Sequence, residues 1–365
     1  MKNIIIPIEF NHLTGGMIFS VISLVKFLSQ YYDVYILANK DAEILQCDLG
    51  AKHLLLKNPY SVSIKHPLQT IKTYFEIKKL TEKFSKLETI VITNNVGSEL
   101  SFSGFGMMPI SLPRIFVSRG GDYLGKTGWF LKKGFRTVQG FICTSKRQFD
   151  ILEQLGIEKE RLHIIHNGIE DLGRGNIHFS EREVIKLSIV GYLNPEKNQL
   201  LAIEAINQLR NEGHFVRLNI FGAAISAEDI LYKKLLENKI EAYQLKESVS
   251  LKGFESNRSK IYAQTDILIS TSISEGFGRV VVEAMSFGLP SIGLTISGGL
   301  NDIISNGIDG FLIENNASEL VKYIKLLMSD NDLYKKLSTN ARNKFLEKFT
   351  EKRMCTNYLN FLKKL

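Results

Sequence analysis

Cysteine is scarce. The 365 residues hold three, Cys47, Cys143 and Cys355, far apart and without a C-x-x-C pair. That excludes a disulfide framework and a cysteine-based zinc site, and it suits a reducing compartment. Proline is equally sparse, with seven, and the 28 glycines are scattered, which excludes collagen and low-complexity sequence. No apolar run approaches the roughly 18 residues of a membrane-spanning helix. The stretch Ile4-Ile5-Ile6 is too short for a signal peptide and precedes no small-residue cleavage site. A cytoplasmic protein is expected, at most peripheral on the inner face of the cell membrane. Also missing is G-x-G-x-x-G, which argues against the dinucleotide fingerprint.

What is present is ordinary globular composition, 44% apolar and 23% charged. At about 150 residues per domain, the length suggests two domains. The net charge of +8 is unevenly placed: residues 51–150 hold 16 Lys/Arg against 6 Asp/Glu, a local net of +10. A basic face of that kind attracts nucleic acid, anionic lipid or a phosphorylated substrate. No nucleic-acid-binding motif accompanies it, so no nucleic-acid partner is expected.

Short β-branched runs alternate with helix-length segments throughout. Twelve strands are expected: Asn3–Ile8, Asp33–Ala38, Thr89–Thr93, Ile115–Ser118, Gly140–Thr144, Leu162–Ile165, Lys186–Val190, Val216–Phe221, Ser248–Leu251, Asp266–Ser270, Ser291–Leu294 and Gly310–Ile313. Such alternation predicts parallel sheets covered by helices on both faces. The polar stretch Glu170–Asn176 reads as a linker between two Rossmann-like domains, 1–170 and 171–349. Residues 350–365 form a last helix. Ligands in open α/β sheets sit beyond the carboxyl ends of the strands, so a cleft between two such domains is the expected site.

The strongest motif is Glu275-Gly276-Phe277-Gly278-Arg279-Val280-Val281-Val282-Glu283. It follows a strand and opens a helix that Gly288 and Pro290 should end. Gly276 and Gly278 permit close backbone approach, and the amides of a helix N-terminus favour phosphate. Glu283 should lie about one and a half turns into the helix, roughly 7–8 Å along its axis. The alternative is a glycine-rich turn with two solvated glutamates. The flanking valines oppose it, since a buried carboxylate needs partners. A second motif, Gly191-Tyr192-Leu193-Asn194-Pro195-Glu196-Lys197-Asn198, closes a strand and places Lys197 in the first turn of a helix, where a cation is better placed if an anion arrives. A third, Thr14-Gly15-Gly16, forms the first crossover loop.

Together these resemble the retaining GT-B glycosyltransferases of family 4, and the likeness extends over most of the chain. Phe141–Ser145, His166-Asn167-Gly168-Ile169, Gly288-Leu289-Pro290, Ser297-Gly298-Gly299, Gly307–Leu312 and Phe349-Thr350 resemble further landmarks of that family in the same order. The resemblance implies two Rossmann-like domains facing across a cleft, with the terminal helix crossing back to the first. It implies a nucleoside-diphosphate-sugar donor, UDP favoured, and a saccharide or lipid-diphosphate-linked acceptor. It implies no cofactor and no metal. Glu283 would bind ribose hydroxyls, Lys197 the diphosphate, and Glu275 the donor sugar. Gly276, Phe277 and Gly278 would lend amides, Gly191 would border the diphosphate, and Gly15 and Gly16 would meet the phosphate from the first domain. Gly253-Phe254-Glu255 resembles the base-binding loop. Retention would proceed by front-face transfer, the departing phosphate oxygen taking the acceptor proton.

Two departures stand out. Tyr192 occupies the position where many relatives carry Arg, and Arg279 is a candidate replacement. Ser118-Arg119-Gly120-Gly121-Asp122 stands where many relatives carry His, making Arg119 a candidate for donor phosphate or an anionic acceptor and Asp122 for an acceptor hydroxyl. Asp330-Asn331-Asp332 reads as a solvated turn. His66–Leu87 reads as an amphipathic helix with Leu68, Ile71, Phe75, Leu80, Phe84 and Leu87 on one face. Lys72, Lys78, Lys79, Lys83 and Lys86 lie on the other. Its apolar face either packs on the first sheet or docks on an anionic membrane. Phe102, Phe105, Met107 and Met108 form an apolar loop open to the same two readings. The rival functions are a GT-B-fold sugar-nucleotide epimerase and a catalytically inactive partner protein.

Overall fold

The computed structural model describes residues 2–9, 16–57, 67–104, 107–119, 128–175 and 184–365. Gly15, Phe105 and Asp122 lie outside the described residues. The chain divides into two units, Met1–Gly168 with Glu351–Leu365, and Ile169–Thr350.

The first unit contains β1 (Asn3–Pro7), α1 (Gly16–Leu28), β2 (Asp33–Asn39), β3 (Lys52–Leu56), α2 (Pro67–Thr81), β4 (Thr89–Thr93) and α3 (Val96–Ser103). It continues with β5 (Arg114–Ser118), α4 (Gly128–Phe135), β6 (Val138–Cys143), α5 (Lys146–Gln154) and β7 (Leu162–Ile164). The seven strands form one parallel sheet in the order β3-β2-β1-β4-β5-β6-β7. Ile4, Ile5 and Ile6 are all fully buried, as a strand covered on both faces requires.

The second unit contains β8 (Ile185–Val190), α6 (Gln199–Asn211), β9 (Val216–Phe221), α7 (Ala227–Ala242), β10 (Val249–Gly253), α8 (Arg258–Ala263) and β11 (Ile267–Ser270). Then come α9 (Arg279–Phe287), β12 (Ser291–Leu294), β13 (Gly310–Ile313), α10 (Ala317–Ser329) and α11 (Asn331–Lys344). Its sheet runs β10-β9-β8-β11-β12-β13, also parallel. Both sheets are doubly wound: the order reverses between β1 and β4 in one and between β8 and β11 in the other. Those reversals open the crevices in which α/β sheets hold ligands. The last helix, α12 (Glu351–Leu362), belongs to the first unit. It buries Met354, Cys355, Tyr358, Phe361 and Leu362 in the core that α1 and β1 share.

All twelve expected strands form, most shifted by a residue or two. The sequence reading missed β3. It is an edge strand, paired only to β2, and its Lys52-His53 start carries no apolar run. The helix expected over Leu333–Lys348 breaks after Lys344 into a π-helical turn, Phe345–Phe349, which turns both phenylalanines into the core. Asp330 caps α11 by accepting from the Leu333 amide at 2.8 Å, consistent with a turn.

The helix expected over His66–Leu87 is shorter, and Leu68, Ile71 and Phe75 of its apolar stripe point outward, while Leu80 and Phe84 pack against the core. α2 buries Thr70, Thr73, Tyr74, Ile77 and Thr81, while Leu68, Ile71 and Phe75 are 76%, 51% and 53% exposed. The Tyr74 hydroxyl donates to the Met108 carbonyl at 2.7 Å, and Met107 and Met108 are themselves exposed. Thr81 can be buried there because its hydroxyl donates to the Ile77 carbonyl of its own helix at 2.8 Å. Phe102, by contrast, is fully buried on α3.

Candidate functional site

The crevice of the second unit is built by the chain leaving β8 and β11. Gly222, after β9, lies so close to the exit of β8 that a Cβ there would stand 1.8 Å from the Gly191 carbonyl oxygen. Past Gly191 the chain makes a single 3₁₀ turn, Pro195–Lys197, capped by Asn194, whose side chain accepts from the Lys197 amide at 3.0 Å. Lys197 therefore precedes α6 instead of sitting in its first turn; Asn198, in the left-handed region at φ 50°, separates the two. The Thr271 hydroxyl donates to the Lys197 carbonyl at 2.8 Å, tying this turn to the end of β11.

That tie brings the first pair together. Lys197 Nζ lies 2.5 Å from Glu275 Oε1, with the side chains 23% and 14% exposed. Glu275 is fixed through its backbone: its amide donates to the Ser297 carbonyl at 2.8 Å, and the Gly299 amide donates to its carbonyl at 3.1 Å. A Cβ on Gly299 would meet that carbonyl oxygen at 2.6 Å, so the glycine allows the two segments to meet. Phe277 is buried against Phe349, with ring centroids 6.0 Å apart. It anchors the loop and leaves only backbone for a ligand. Gly278, at φ 99°, turns the loop into α9, where Leu300 occupies the space a Cβ would need.

The second cluster is centred on Glu283, one turn into α9 and buried. The Tyr262 hydroxyl donates to Oε2 at 2.8 Å. Oε1 faces Arg258 at 3.4 Å and Arg279 at 3.7 Å. Burial, then the adjacent Glu283 charge, pushes the Tyr262 hydroxyl well above its ordinary pKa, so it remains a donor to the carboxylate. Glu283 is thus not a solvated glutamate. Arg279, the candidate replacement for an arginine at position 192, is held on Glu283, while Tyr192 is part-exposed. Arg258 and Tyr262 were missed in the sequence. Only the Asn257 cap, whose side chain accepts from the Lys260 amide at 3.0 Å, marks the start of their short helix. Phe254 follows β10 and is 75% exposed, a bare aromatic face at the carboxyl end of the sheet's outer strand.

In the first unit, Gly16 opens α1. Arg119 follows β5. Its guanidinium donates to Asn167 Oδ1 at 2.5 Å and Asn94 Oδ1 at 3.2 Å, and its buried Nε has no hydrogen-bond partner among the described residues. Two neutral amides position this cation without neutralising it. Asn167 belongs to the His-Asn-Gly-Ile turn noted in the sequence, and nothing in its spacing pointed to Arg119. Among the described residues, no three His, Cys, Asp or Glu side chains group closely enough to hold a metal ion.

Two doubly wound parallel units in one chain define the GT-B fold class. Residues 176–344 match the family "Glycosyl transferases group 1". The chain is homologous to glycosyltransferases. It is 27% identical over 223 residues to the poly(ribitol-phosphate) alpha-N-acetylglucosaminyltransferase of Staphylococcus aureus, covering 60% of this chain and 42% of that one. It is 26% identical over 219 residues to the UDP-Gal:alpha-D-GlcNAc-diphosphoundecaprenol alpha-1,3-galactosyltransferase of Escherichia coli, covering 57% and 56%. The chain thus spans roughly half the length of these relatives. Among solved structures, the Anabaena protein HepE in complex with UDP aligns over the whole of both chains with a TM-score of 0.82 at 19% identity. The sucrose-phosphate synthase of Thermosynechococcus elongatus aligns over 100% and 99% with a TM-score of 0.84 at 15% identity. At these identities the structures show the fold.

Proposed function

We propose that this chain is a retaining, metal-independent family 4 glycosyltransferase that moves a sugar from a nucleoside diphosphate, UDP in first place, to a saccharide or lipid-linked saccharide acceptor in bacterial surface-polysaccharide synthesis. The observation that carries the reading is the pair of charged clusters, Lys197–Glu275 and Glu283–Arg258–Arg279–Tyr262, at the carboxyl edge of the second sheet. Glu283 is held rigid for a ribose diol. Lys197 meets the diphosphate, leaving Glu275 to accept from a sugar hydroxyl, and the amides of Gly276, Phe277 and Gly278 add donors. Phe254 stacks on the base. In front-face transfer the bond from the anomeric carbon to phosphate breaks as the acceptor oxygen bonds, and the acceptor proton passes to the departing phosphate oxygen. Negative charge then grows on the diphosphate, and a pre-placed ammonium lowers that barrier.

We place the acceptor at an anionic membrane. The supporting observation is the outward stripe Leu68, Ile71 and Phe75 on α2, beside exposed Met107 and Met108 and flanked by Lys72, Lys78 and Lys79. An exposed apolar patch bordered by lysines matches the interface of an anionic bilayer.

The test of the catalytic reading is a thermal-shift panel of UDP, GDP and ADP with their common sugar derivatives, repeated with Glu283→Ala. At 100 times its Kd, a ligand stabilises by about 2.7 kcal/mol. A shift with one nucleoside diphosphate that the variant loses supports the reading; no shift with any nucleotide removes it.

A further inference from the structure

Glu9 has no place in the donor reading, and the sequence motifs did not single it out. It follows β1 at the point where the first sheet reverses, since β1 pairs with β2 on one side and β4 on the other. This is the position where doubly wound sheets take their ligands. The chain leaving β4 runs through Asn94 and Asn95 into α3, with Asn95 as its cap. The second residue of that helix is Gly97, and a Cβ there would lie 2.4 and 2.5 Å from the two carboxylate oxygens of Glu9. The glycine is therefore what lets the carboxyl lie against the first turn of α3. Oε1 is sealed from solvent and has no hydrogen-bond partner among the described residues.

Among the described residues, the charged groups at the exits of β4 and β5 have other hydrogen-bond partners. Glu99 on α3 is buried on Arg114 and Thr93, at 3.2 and 2.9 Å. Arg119, past β5, is held by Asn94 and Asn167. Burial raises the Glu9 carboxyl from 4.5 to about 7, and a hydrogen bond with Asn95 offsets only part of that. An unpartnered buried acceptor atom is costly unless something donates to it. A sugar or polyol hydroxyl is such a donor.

We propose that Glu9 is an acceptor-binding residue: its free carboxylate oxygen receives a hydrogen bond from a hydroxyl of the saccharide or polyol acceptor. The inference rests on the glycosyltransferase reading and adds a named acceptor contact from the first unit. Protonation of the carboxyl removes the charge and weakens that contact, so acceptor use declines as pH falls through about 7.

The experiment uses the full chain with UDP-glucose and UDP-N-acetylglucosamine as donors. Octyl glycosides and sn-glycerol 3-phosphate serve as acceptor probes, and UDP binding is measured alongside. Glu9→Gln keeps the shape and removes the charge. Gly97→Ala adds a methyl that displaces the flexible carboxyl and strengthens the helix, so it tests the same contact without unfolding α3. The expected result is an acceptor KM raised about 10- to 100-fold in both variants, with UDP affinity unchanged. The acidic limb near pH 7 should vanish in Glu9→Gln. An unchanged acceptor KM and pH profile in Glu9→Gln, with UDP binding intact, overturns the inference and leaves the donor reading standing. A wild-type chain that neither binds UDP nor turns over any pair overturns both.

Discussion

Replacing Lys197 by alanine has two consequences that the structure separates. In the resting protein its ammonium faces Glu275 at 2.5 Å, and both side chains are mostly covered. A charge-assisted hydrogen bond contributes about 1.5–3 kcal/mol, and residual solvent contact reduces that. A loss of about 1–2 kcal/mol is expected, which for a unit of this size lowers Tm by about 2–4 °C per kcal/mol. The catalytic loss is larger, because charge on the leaving diphosphate grows only in the transition state. Removing one pre-placed donor of that kind costs about 10²–10³ in kcat, or about 2.7–4 kcal/mol. The assay pairs calorimetric Tm with UDP release. The deciding variant is Lys197→Ala with Glu275→Ala. Deleting the stranded carboxylate should restore most of the stability, because the two residues are in contact and their effects are not additive. Turnover should stay lost. If Lys197→Ala keeps kcat within about twofold of wild type, or the double variant recovers both stability and turnover, the lysine is a structural partner of Glu275 and the catalytic assignment fails.

Three further outcomes follow from other contacts. Tyr262→Phe leaves the buried Glu283 carboxylate short of its 2.8 Å donor; unfolding in urea should show a loss of about 1–3 kcal/mol, with weaker UDP binding by calorimetry. No change in either would detach Tyr262 from the site. The Glu9 carboxyl, at about 7 against an ordinary 4.5, holds its proton more tightly folded than unfolded. The Glu9 contribution to stability should therefore be fully present below about pH 4.5 and fall by up to about 3 kcal/mol as pH rises to about 7. Parallel stability profiles for wild type and Glu9→Gln from pH 5 to 8 would contradict that burial. Leu68→Ser with Phe75→Ser removes two exposed apolar contacts on α2, each worth about 1.5–3 kcal/mol when buried. Sedimentation with phosphatidylglycerol vesicles should weaken more than tenfold while vesicle-free UDP binding is kept. Equal sedimentation of variant and wild type would rule out this face.

The sequence by itself determined the alternation of elements, the carboxyl-edge placement of Gly191, Lys197, Glu275 and Glu283, and the glycine turn that ends in α9. These are local matters: continuous apolar strands, glycine where the backbone turns, and caps such as Asn194. The family likeness of 176–344 was legible for the same reason, since its motifs lie in short contiguous stretches. Tertiary structure decided what those residues touch. Lys197 and Glu275 are 78 positions apart and meet only because β8 and β11 are neighbours in the sheet. Arg258 and Tyr262 enter the Glu283 cluster from a helix of six residues with no motif of its own. The outward face of α2 was decided by what is buried on the other side, Tyr74 and Ile77 together with Thr81, whose hydroxyl bonds to its own helix. Glu9 is an unremarked glutamate in sequence, and its environment depends on a glycine 88 positions away that leaves the carboxyl room against α3. Periodicity fixes which elements form, but pairing across a parallel sheet, and with it the company each charge keeps, is a property of the packed chain.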